Sequence, residues 1–369
     1  MTRSWASDTG KGRCGVKRCL LIPALCCALL LSGCSSLLDR PYVMVEPHVE
    51  QPVVAGDSSI IQVSTYSELV NAVLFLVSQG TEEGMIQLTD YRGEVEDDLN
   101  RACLEVATDD PLGAYAVDFI KNSYTRVLTT YEAVISITYR RTKEQVQNIV
   151  NVTSTSAIRK EVSAALSEYR PELVLRVGYF VGGTDSVAQL VRQAYYDAPV
   201  SAMSMPECAV TLYPTLGTQR IVEIQLTYPE EEDVMREKST QLKAEVEALV
   251  SPLHAQQYGS VERLSMLFSL VSRSVTYSPR GGSTAWDAIL GDGADSEGAA
   301  LAFQLLADEM SVGSTLVEGT LNGEAHFWNR LSDDGGAHYV DLTRDSSGTT
   351  WSAQDLAELG YVWEDAPEI

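Results

Sequence analysis

The chain has 369 residues, and its composition already excludes several classes of protein. Hydrophobic residues make up 45% and charged residues 21%, as in folded chains, and the length is enough for about two or three domains. The formal net charge of −24 excludes nucleic-acid binding, because so acidic a surface cannot neutralise phosphates. Five of the seven cysteines precede residue 35, which excludes a disulfide-stabilised scaffold and a cysteine zinc site.

The N-terminus has the features of an export signal. A basic segment ends at Arg18, and the apolar run from Cys19 to Leu31 is too short to span a bilayer comfortably. The run ends in Leu-Ser-Gly-Cys34, which resembles the lipobox of bacterial lipoproteins, where the cysteine is lipidated and becomes the first residue. The resemblance implies a signal peptide at 1–33 and a chain held by lipid at the outer face of the cytoplasmic membrane. An ordinary signal anchor is the alternative.

A proline-containing spacer and an internal repeat follow. Residues 34–59 include three prolines and few periodic apolar positions, so we expect a flexible spacer. Residues 60–229 repeat weakly at offsets of 87 to 89 residues. Matched positions include Val63 with Val152, Leu69 with Ile158, and Ile135-Ser-Ile-Thr-Tyr with Ile224-Gln-Leu-Thr-Tyr. The repeat predicts an α+β protein with two duplicated α/β-sandwich-like modules, at 60–150 and 151–229.

Both modules are predicted to have the same order of elements. In the first copy, apolar periodicity predicts helices at 66–79 and 94–107, with a strand at 85–91 between them. Alternation of apolar and polar residues predicts two more strands within 125–141. The corresponding segments of the second copy are 155–168, 173–180, 184–196 and 208–228.

The pattern changes at Pro229. Residues 230–252 have the spacing of an amphipathic helix, which we interpret as a linker to a third domain at 253–369. The apolar stripe of this helix consists of Val234, Leu242, Val246, Leu249 and Val250.

Neither of the two duplicated modules offers catalytic groups. Cys103 and Cys208 are expected to be core thiols, and a disulfide between them is left open.

The third domain contains a serine, a histidine and an aspartate in an order that suits acyl-transfer chemistry. Ser296 ends a loop rich in Gly and Asp and precedes a predicted amphipathic helix, a position where serine commonly caps the helix. Strands are predicted at 315–321, 324–331 and 337–343. The last two strands form a hairpin that places His326 near Asp341. A nucleophile at a helix N-terminus, with a paired histidine and carboxylate, is the arrangement of hydrolytic triads.

These segments resemble the transglutaminase-like superfamily, the papain-related fold of bacterial transglutaminase and peptidase domains. The family pattern combines Cys-x-x-Tyr-Ala-x-Ala-Phe, His-Ala-Trp-Asn and Tyr-x-Val-Asp-x-Thr. The corresponding stretches here begin at Ser296, His326 and Tyr339, and the resemblance covers about residues 255–345. It implies that His326 is the catalytic base and that Asp341 orients it. It also implies a substrate cleft, whose residues are Trp328, Asn329 and Tyr339.

The sequence departs from the family pattern at the nucleophile. Ser296 stands in the position of the family's cysteine, and Ala299 stands in the position of its aromatic residue. A neighbouring imidazolium and a helix N-terminus ionise a thiol, whereas a hydroxyl needs a general base and an oxyanion hole. We therefore expect a catalytically silent domain without cofactor or metal that binds an extracellular peptide or protein, with cell-wall peptide as one candidate. Two alternatives stay open: a Ser296-His326-Asp341 amidase or acyl transferase, and a structural spacer in a surface assembly.

Overall fold

The structure is a computed structural model that describes residues 60–253, 259–333 and 336–364. The predicted signal peptide, the lipid attachment at Cys34 and the spacer at 34–59 lie outside these residues. The described part of the chain belongs to one compact unit and is a mixed α+β structure with several four-stranded sheets. None of the described helices is both long and apolar enough to cross a bilayer.

The first sheet has the strand order β1-β2-β4-β3. Its strands are β1 (Ile60–Val63), β2 (Glu83–Leu88), β3 (Val117–Val127) and β4 (Thr130–Tyr139). β1 and β2 are parallel, and the other neighbours are antiparallel. Helices α1 (Tyr66–Gln79), α2 (Val95–Thr108) and α3 (Pro111–Ala116) accompany this sheet. Ala133, Ile135 and Ile137 alternate along β4 on the face that is buried with these helices.

The second sheet repeats this topology, with the order β5-β6-β8-β7 and one parallel pair, β5 with β6. Its strands are β5 (Val150–Val152), β6 (Glu172–Val177), β7 (Glu207–Tyr213) and β8 (Arg220–Thr227). Its helices are α5 (Thr155–Ser167) and α6 (Thr184–Tyr196), and α4 (Lys143–Gln147) connects the two sheets. The two sheets therefore share one strand order, while their common origin stays a prediction from the repeat.

Local signals explain why the predicted helices lie close to their observed bounds. Thr65 and Glu68 form a capping box at the start of α1, and Gly80 ends the helix in the left-handed conformation with φ of 65°. Ser154 caps α5 in a similar way through the amide of Ala157. These interactions satisfy backbone groups that the ends of a helix leave without partners.

The hairpin of the first module differs from the prediction, because its first strand begins at Val117 and not near residue 125. The reason is the short helix α3, in which Asp110 accepts hydrogen bonds from the amides of Leu112 and Gly113 and Pro111 occupies the first turn. The short parallel strands β1 and β5 were not predicted, since three or four residues are too few to show a period.

A buried ion pair joins the two modules. Arg141 Nη2 lies 2.7 Å from a carboxylate oxygen of Glu223, whose side chain is 3% exposed. Tyr213 donates a hydrogen bond to the same carboxylate at 2.9 Å and packs edge-on against Tyr115 of α3. Val174 and Ile221, on the outer face of the second sheet, belong to the hydrophobic core of the first module. The modules are thus packed against one another.

Helix α7 (Glu232–Val250) contributes one face to the core, and its interpretation as a linker to a third domain stays a prediction. Its buried residues are Met235, Leu242, Val246 and Val250. They lie in a hydrophobic core that includes residues of the second module and of the last part of the chain. Met235 takes the place predicted for Val234, which is 45% exposed. The short helical turn Ser251–Leu253 ends this segment.

The last part of the chain combines an antiparallel sheet with a central helix, α10 (Ser296–Glu309). The strand order is β12-β11-β10-β13. The strands are β10 (Ser314–Leu321), β11 (Glu324–Asp333), β12 (Gly336–Val340) and β13 (Tyr361–Val362). Other elements are α8 (Ser260–Ser274), β9 (Tyr277–Gly282), α9 (Ala285–Ile289) and α11 (Ala353–Glu358). Every residue of α10 from Gly298 to Ala307 is buried, so this helix is covered on all sides and not only on the predicted face.

Cys103 and Cys208 are free thiols. Cys103 is buried in the core of the first module, as predicted, and its burial raises the pKa of its thiol to about 11. Cys208 is half-buried and packs against the core that the second module shares with the last part of the chain. Both thiols therefore act as small apolar side chains.

Candidate functional site

The N-terminus of α10 is capped by Asp295, and the possibility that Ser296 caps it is wrong. Asp295 Oδ1 accepts hydrogen bonds from the amides of Glu297 and Gly298 at 3.0 and 3.1 Å, and Oδ2 accepts one from Ser283 Oγ at 2.6 Å. The free amides of the first turn favour a carboxylate over a hydroxyl as acceptor. Ser296 is consequently the first residue of the helix, half-buried, with its side chain not needed for the cap.

Close packing holds this helix end in place. A Cβ atom on Gly298 would lie 2.6 Å from Ala294 Cβ and 2.7 Å from the backbone oxygen of Thr284. Only glycine allows the chain around Thr284 to approach the helix so closely. The backbone around Ser296 is therefore positioned by contacts on both sides, as a site on a rigid element requires.

Glu297 is the next residue and carries a perturbed carboxyl group. Burial raises its pKa to about 7, although a hydrogen bond from the hydroxyl of Tyr196, at 3.2 Å, favours the charged form. The neighbouring carboxylate of Asp295 also raises the pKa, while the guanidinium of Arg192 lowers it. A titratable group near neutral pH thus lies directly beside the predicted nucleophile, and no sequence pattern singles it out.

His326 and Asp341 are paired, as the predicted hairpin requires. His326 Nε2 lies 2.7 Å from Asp341 Oδ2, and the side chains are 12% and 1% exposed. β11 and β12 are antiparallel neighbours in a register that places Asn329 opposite Val340. Asp341 follows directly after β12 and is not within a strand, which differs slightly from the predicted strand at 337–343.

Three further hydrogen bonds hold the Asp341 carboxylate. Oδ1 accepts from the amide and the hydroxyl of Thr343 at 2.9 and 2.8 Å, and Oδ2 accepts from the hydroxyl of Tyr361 at 2.5 Å. Burial alone would raise the pKa of this carboxyl, but the hydrogen bonds from His326 and Tyr361 outweigh it and hold the pKa below its usual value. Asp341 is therefore a carboxylate at neutral pH.

This pairing assigns roles to the two ring nitrogens of His326. A carboxylate only accepts hydrogen bonds, so a neutral imidazole at this distance carries its proton on Nε2. Nδ1 is then the nitrogen that can accept a proton from another group. A buried carboxylate that orients an imidazole in one tautomer is the function of the third member of a hydrolytic triad.

Ser296, the third member of the predicted triad, is not hydrogen-bonded to the His326–Asp341 pair in the described residues. Within the described residues, its hydroxyl makes no hydrogen bond to His326. Side chains alternate along β11, and the ring of His326 stacks 6.1 Å from that of Trp328, so both point to one face of the sheet. Asn329 points to the other face, where its Nδ2 donates to the backbone oxygen of Ala300 in α10 at 3.0 Å.

The three residues predicted for the substrate cleft are mostly interior. Trp328 and Asn329 are each 1% exposed, and Tyr339 is 3% exposed. Trp328 and Tyr339 belong to an aromatic cluster under His326 that also includes Tyr361 and the partly buried Trp363. Asn329 joins the sheet to α10. These positions support the site from within, and of the three only Tyr339 contributes to a described cavity.

Sequence reasoning misses two residues of this site for different reasons. Thr343 lies within the stretch that resembles the family pattern, and its contact with Asp341 follows from a local turn. Tyr361 lies twenty residues beyond Asp341 in β13, and its position beside that carboxylate depends on β13 pairing with β10. No local signal marks Tyr361.

A cavity of about 900 Å³ lies between α6 and the edge of β10. Its lining includes Gln193 and Tyr196 of α6, residues 315–320 of β10, and Trp363 at the end of β13. The predicted triad is not part of this lining. Among the residues that the structure describes, no group of three His, Cys, Asp or Glu side chains is arranged to hold a metal ion.

Comparison with known proteins gives only weak structural likeness. No family model and no curated protein matches the sequence. A solved structure described as a crystal structure of a TGase superposes with a TM-score of 0.25 at 10% identity, over 68% of this chain and 73% of the other. A similarity of this size assigns neither a family nor an activity to the chain.

Proposed function

We propose that this protein is a lipid-anchored surface protein whose last part has a transglutaminase-like, papain-related fold and binds an extracellular peptide or protein. The observation that carries this proposal is the His326–Asp341 pair, which is fully oriented but has no nucleophile hydrogen-bonded to it within the described residues. The sequence motifs that contain these two residues support the family assignment. The absence of a thiol at position 296 argues against catalysis by the family's chemistry.

The physical argument concerns the proton of the nucleophile. A thiol at a helix N-terminus loses its proton before it attacks, so it tolerates a loosely placed base. The Ser296 hydroxyl keeps its proton until attack and needs His326 within hydrogen-bond reach. Since the structure shows no such contact, we propose that the site holds ligand and does not cleave it.

The test uses the full chain and a fluorescein-labelled tetrapeptide stem of peptidoglycan as the probe. Binding is measured by fluorescence anisotropy, and chromatography follows the integrity of the probe over several hours. We expect saturable binding and an intact probe, with Ser296→Ala binding as tightly as the wild type. Failure of the wild type to bind this probe overturns the cell-wall assignment, whereas cleavage by the wild type but not by Ser296→Ala replaces binding by hydrolysis.

A Ser296-His326-Asp341 hydrolase is the second candidate, and one observation favours it. Because Asp295 caps α10, the Ser296 hydroxyl is left without a structural task at the helix N-terminus. A fluorophosphonate probe should then label Ser296, and His326→Ala should abolish the labelling. A folded protein that reacts with none of several such probes contradicts this candidate.

Lipid attachment is tested separately, because Cys34 lies outside the described residues. Cells that express the full chain are fed an alkyne-bearing fatty acid, and the protein is examined for incorporated label. We expect label in the wild type, none in Cys34→Ser, and recovery of the wild type in the membrane fraction. Equal labelling of both proteins excludes Cys34 as the attachment point.

A further inference from the structure

The edge of β10 that faces away from β11 is open over most of its length. Within the described residues, β13 pairs with β10 only at Thr320 with Val362 and Leu321 with Tyr361. β11 covers the opposite edge from Ser314 to Leu321. Among the residues that the structure describes, the segment 314–319 therefore presents one row of backbone groups with no strand beside it, and residues 315–320 line the cavity.

The direction of these backbone groups follows from one hydrogen bond. The amide of Leu316 donates to the side chain of Gln304 at 2.7 Å, so it points away from β11. Backbone groups alternate in direction along a strand, and the N–H and C=O of Glu318 consequently point the same way. Glu318 offers the cavity one donor and one acceptor that are free of strand partners in the described part of the chain.

The opposite wall of the cavity contains an unsatisfied acceptor. Gln193 of α6 lines the cavity, and its Oε1 is buried without a hydrogen-bond partner in the described residues. A buried amide oxygen without a partner is costly, so it indicates a place for a donor from a ligand. A peptide backbone supplies such N–H donors at regular spacing.

The charges of the cavity select among peptides. Arg159 and Arg192 line it but are each paired with a carboxylate, Asp197 and Glu318 respectively. Arg330 lines it as well, is exposed, and forms no ion pair with a described residue. The cavity lining also contains the carboxylate of Glu364, so its formal charges balance. Arg330 is the arginine of this lining without a carboxylate partner among the described residues, and it can therefore pair with an acidic side chain of a ligand.

The far end of the cavity is closed by the C-terminal strand. A Cβ atom on Gly319 would lie 2.4 Å from the backbone oxygen of Val362 and 3.0 Å from Trp363 Cβ, so β13 crosses β10 in close contact there. Beyond this crossing no described strand pairs with the edge, and Trp363 lines the cavity beside it. The groove can thus take an extended segment along β10 with an aromatic surface at one end.

We propose that the groove between α6 and β10 binds an extended peptide as an added strand, with the backbone of Glu318 pairing to it and Arg330 recognising an acidic side chain. Addition of a strand to an open sheet edge derives its affinity from backbone hydrogen bonds and its specificity from the side-chain contacts. The groove is distinct from the Ser296–His326 region. Only the class of ligand, a peptide, rests on the proposed function.

The experiment uses the full chain and a defined probe, the fluorescein-labelled peptide Thr-Val-Glu-Val-Thr-Val with blocked ends. Two matched peptides are the controls: one has Gln in place of Glu, and one carries N-methyl groups on alternate amides. We expect binding of the first peptide by fluorescence anisotropy and at least about tenfold weaker binding of the N-methylated peptide, because it cannot complete the strand ladder. Equal binding of both overturns the proposal, as does no binding of the first.

Two variants at one position locate the bound strand. Glu318→Pro removes the outward N–H and leaves the ladder to β11 intact, since proline is tolerated where the N–H faces away from the neighbouring strand. Glu318→Ala keeps the N–H and removes the same ion pair with Arg192, so it is the matched control. We expect Glu318→Pro to lose binding and Glu318→Ala to retain it, with equal circular dichroism. Equal binding by both variants overturns the proposal.

A third variant tests the recognition of the acid. Arg330→Gln should bind the Glu and Gln peptides equally, whereas the wild type should prefer the Glu peptide by about fivefold or more. An unchanged preference overturns the role of Arg330.

A truncated chain that ends at Glu364 tests competition from within the chain. If the peptide binds to the truncated chain but not to the full chain, the segment 365–369 competes for the groove and an external peptide is not its occupant. Loss of binding to the stem tetrapeptide in His326→Ala concerns the proposed function and leaves this result unaffected.

Discussion

Tyr361 donates a hydrogen bond to Oδ2 of Asp341 at 2.5 Å, and that same oxygen contacts Nε2 of His326 at 2.7 Å. The carboxylate is thus shared between an imidazole and a phenol that come from different strands. A buried carboxylate with four hydrogen bonds has few other orientations open to it, so Tyr361 and Thr343 position Asp341 and, through it, the ring of His326.

Removal of the phenol hydroxyl should weaken the ionised form of Asp341. The folded-state pKa of this carboxyl lies below its unfolded value, so its contribution to stability is present above the unfolded pKa and is lost as the pH falls through the folded pKa. Tyr361→Phe should raise the Asp341 pKa toward its unfolded value, so the variant should be less stable at neutral pH and should lose less stability than the wild type on acidification. Carboxyl titration by NMR and urea unfolding at several pH values check this, with Tyr339→Phe as the control from the same aromatic cluster. Identical acid profiles for the two variants contradict it.

Glu297 should make the protein less stable as the pH rises through the weakly acidic range. Its folded-state pKa of about 7 exceeds the ordinary value of 4.5 for a glutamate carboxyl, so the folded state binds more protons between those values. Stability should fall between about pH 4.5 and 7, by about 3 kcal/mol from this group. Glu297→Gln should flatten that slope and be the more stable protein at pH 8, as measured by urea unfolding. The exposed Glu324→Gln is the control, and equal slopes in wild type and Glu297→Gln refute the prediction.

Removing one partner of the Arg141–Glu223 ion pair should lower the free energy of unfolding more than removing both partners. Arg141→Leu leaves the Glu223 carboxylate buried without its cation, and we expect a loss of about 3 kcal/mol. The double variant Arg141→Leu/Glu223→Leu should recover most of this loss, because both charges are then absent from the interior. A double-mutant cycle in urea measures the coupling, and additive effects would mean that the two side chains do not interact.

A thiol at position 296 tests whether this helix end and His326 can activate a nucleophile. Ser296→Cys places a thiol at the N-terminus of α10, where the helix dipole favours a thiolate. We expect iodoacetamide to alkylate it about tenfold faster than Cys103, whose burial raises its thiol pKa to about 11. In the double variant Ser296→Cys/His326→Ala, alkylation of the thiol should be slower than in Ser296→Cys alone if the His326 imidazole contacts that thiol.

Mass spectrometry of the alkylated peptides separates position 296 from the native thiols at Cys103 and Cys208. An unreactive thiol at 296 in a folded protein shows that the helix end does not activate a nucleophile. A reactive thiol whose rate is the same with and without His326 shows activation by the helix alone, and it removes the histidine from the proposed triad.

Local patterns in the sequence were sufficient where each signal is contained in one element. The helix at 66–79 has the predicted bounds because its capping box and its terminal glycine lie within it. The pairing of His326 with Asp341 was predictable, since a hairpin with a short turn leaves few registers. Predictions of helix faces were less successful: α10 is buried all round between Gly298 and Ala307, and α7 buries Met235 where Val234 was expected.

The sequence by itself determined the composition class, the acidic net charge, the hairpin that carries the histidine and aspartate, and the serine at position 296. Only the tertiary structure decided that Tyr361 shares the Asp341 carboxylate, and that part of the β10 edge has no strand beside it among the described residues. The physical reason is the range of the interactions. Capping and hairpin pairing are set by neighbours in sequence, whereas the contacts of Tyr361 and the open edge depend on where a C-terminal strand crosses a sheet formed earlier in the chain.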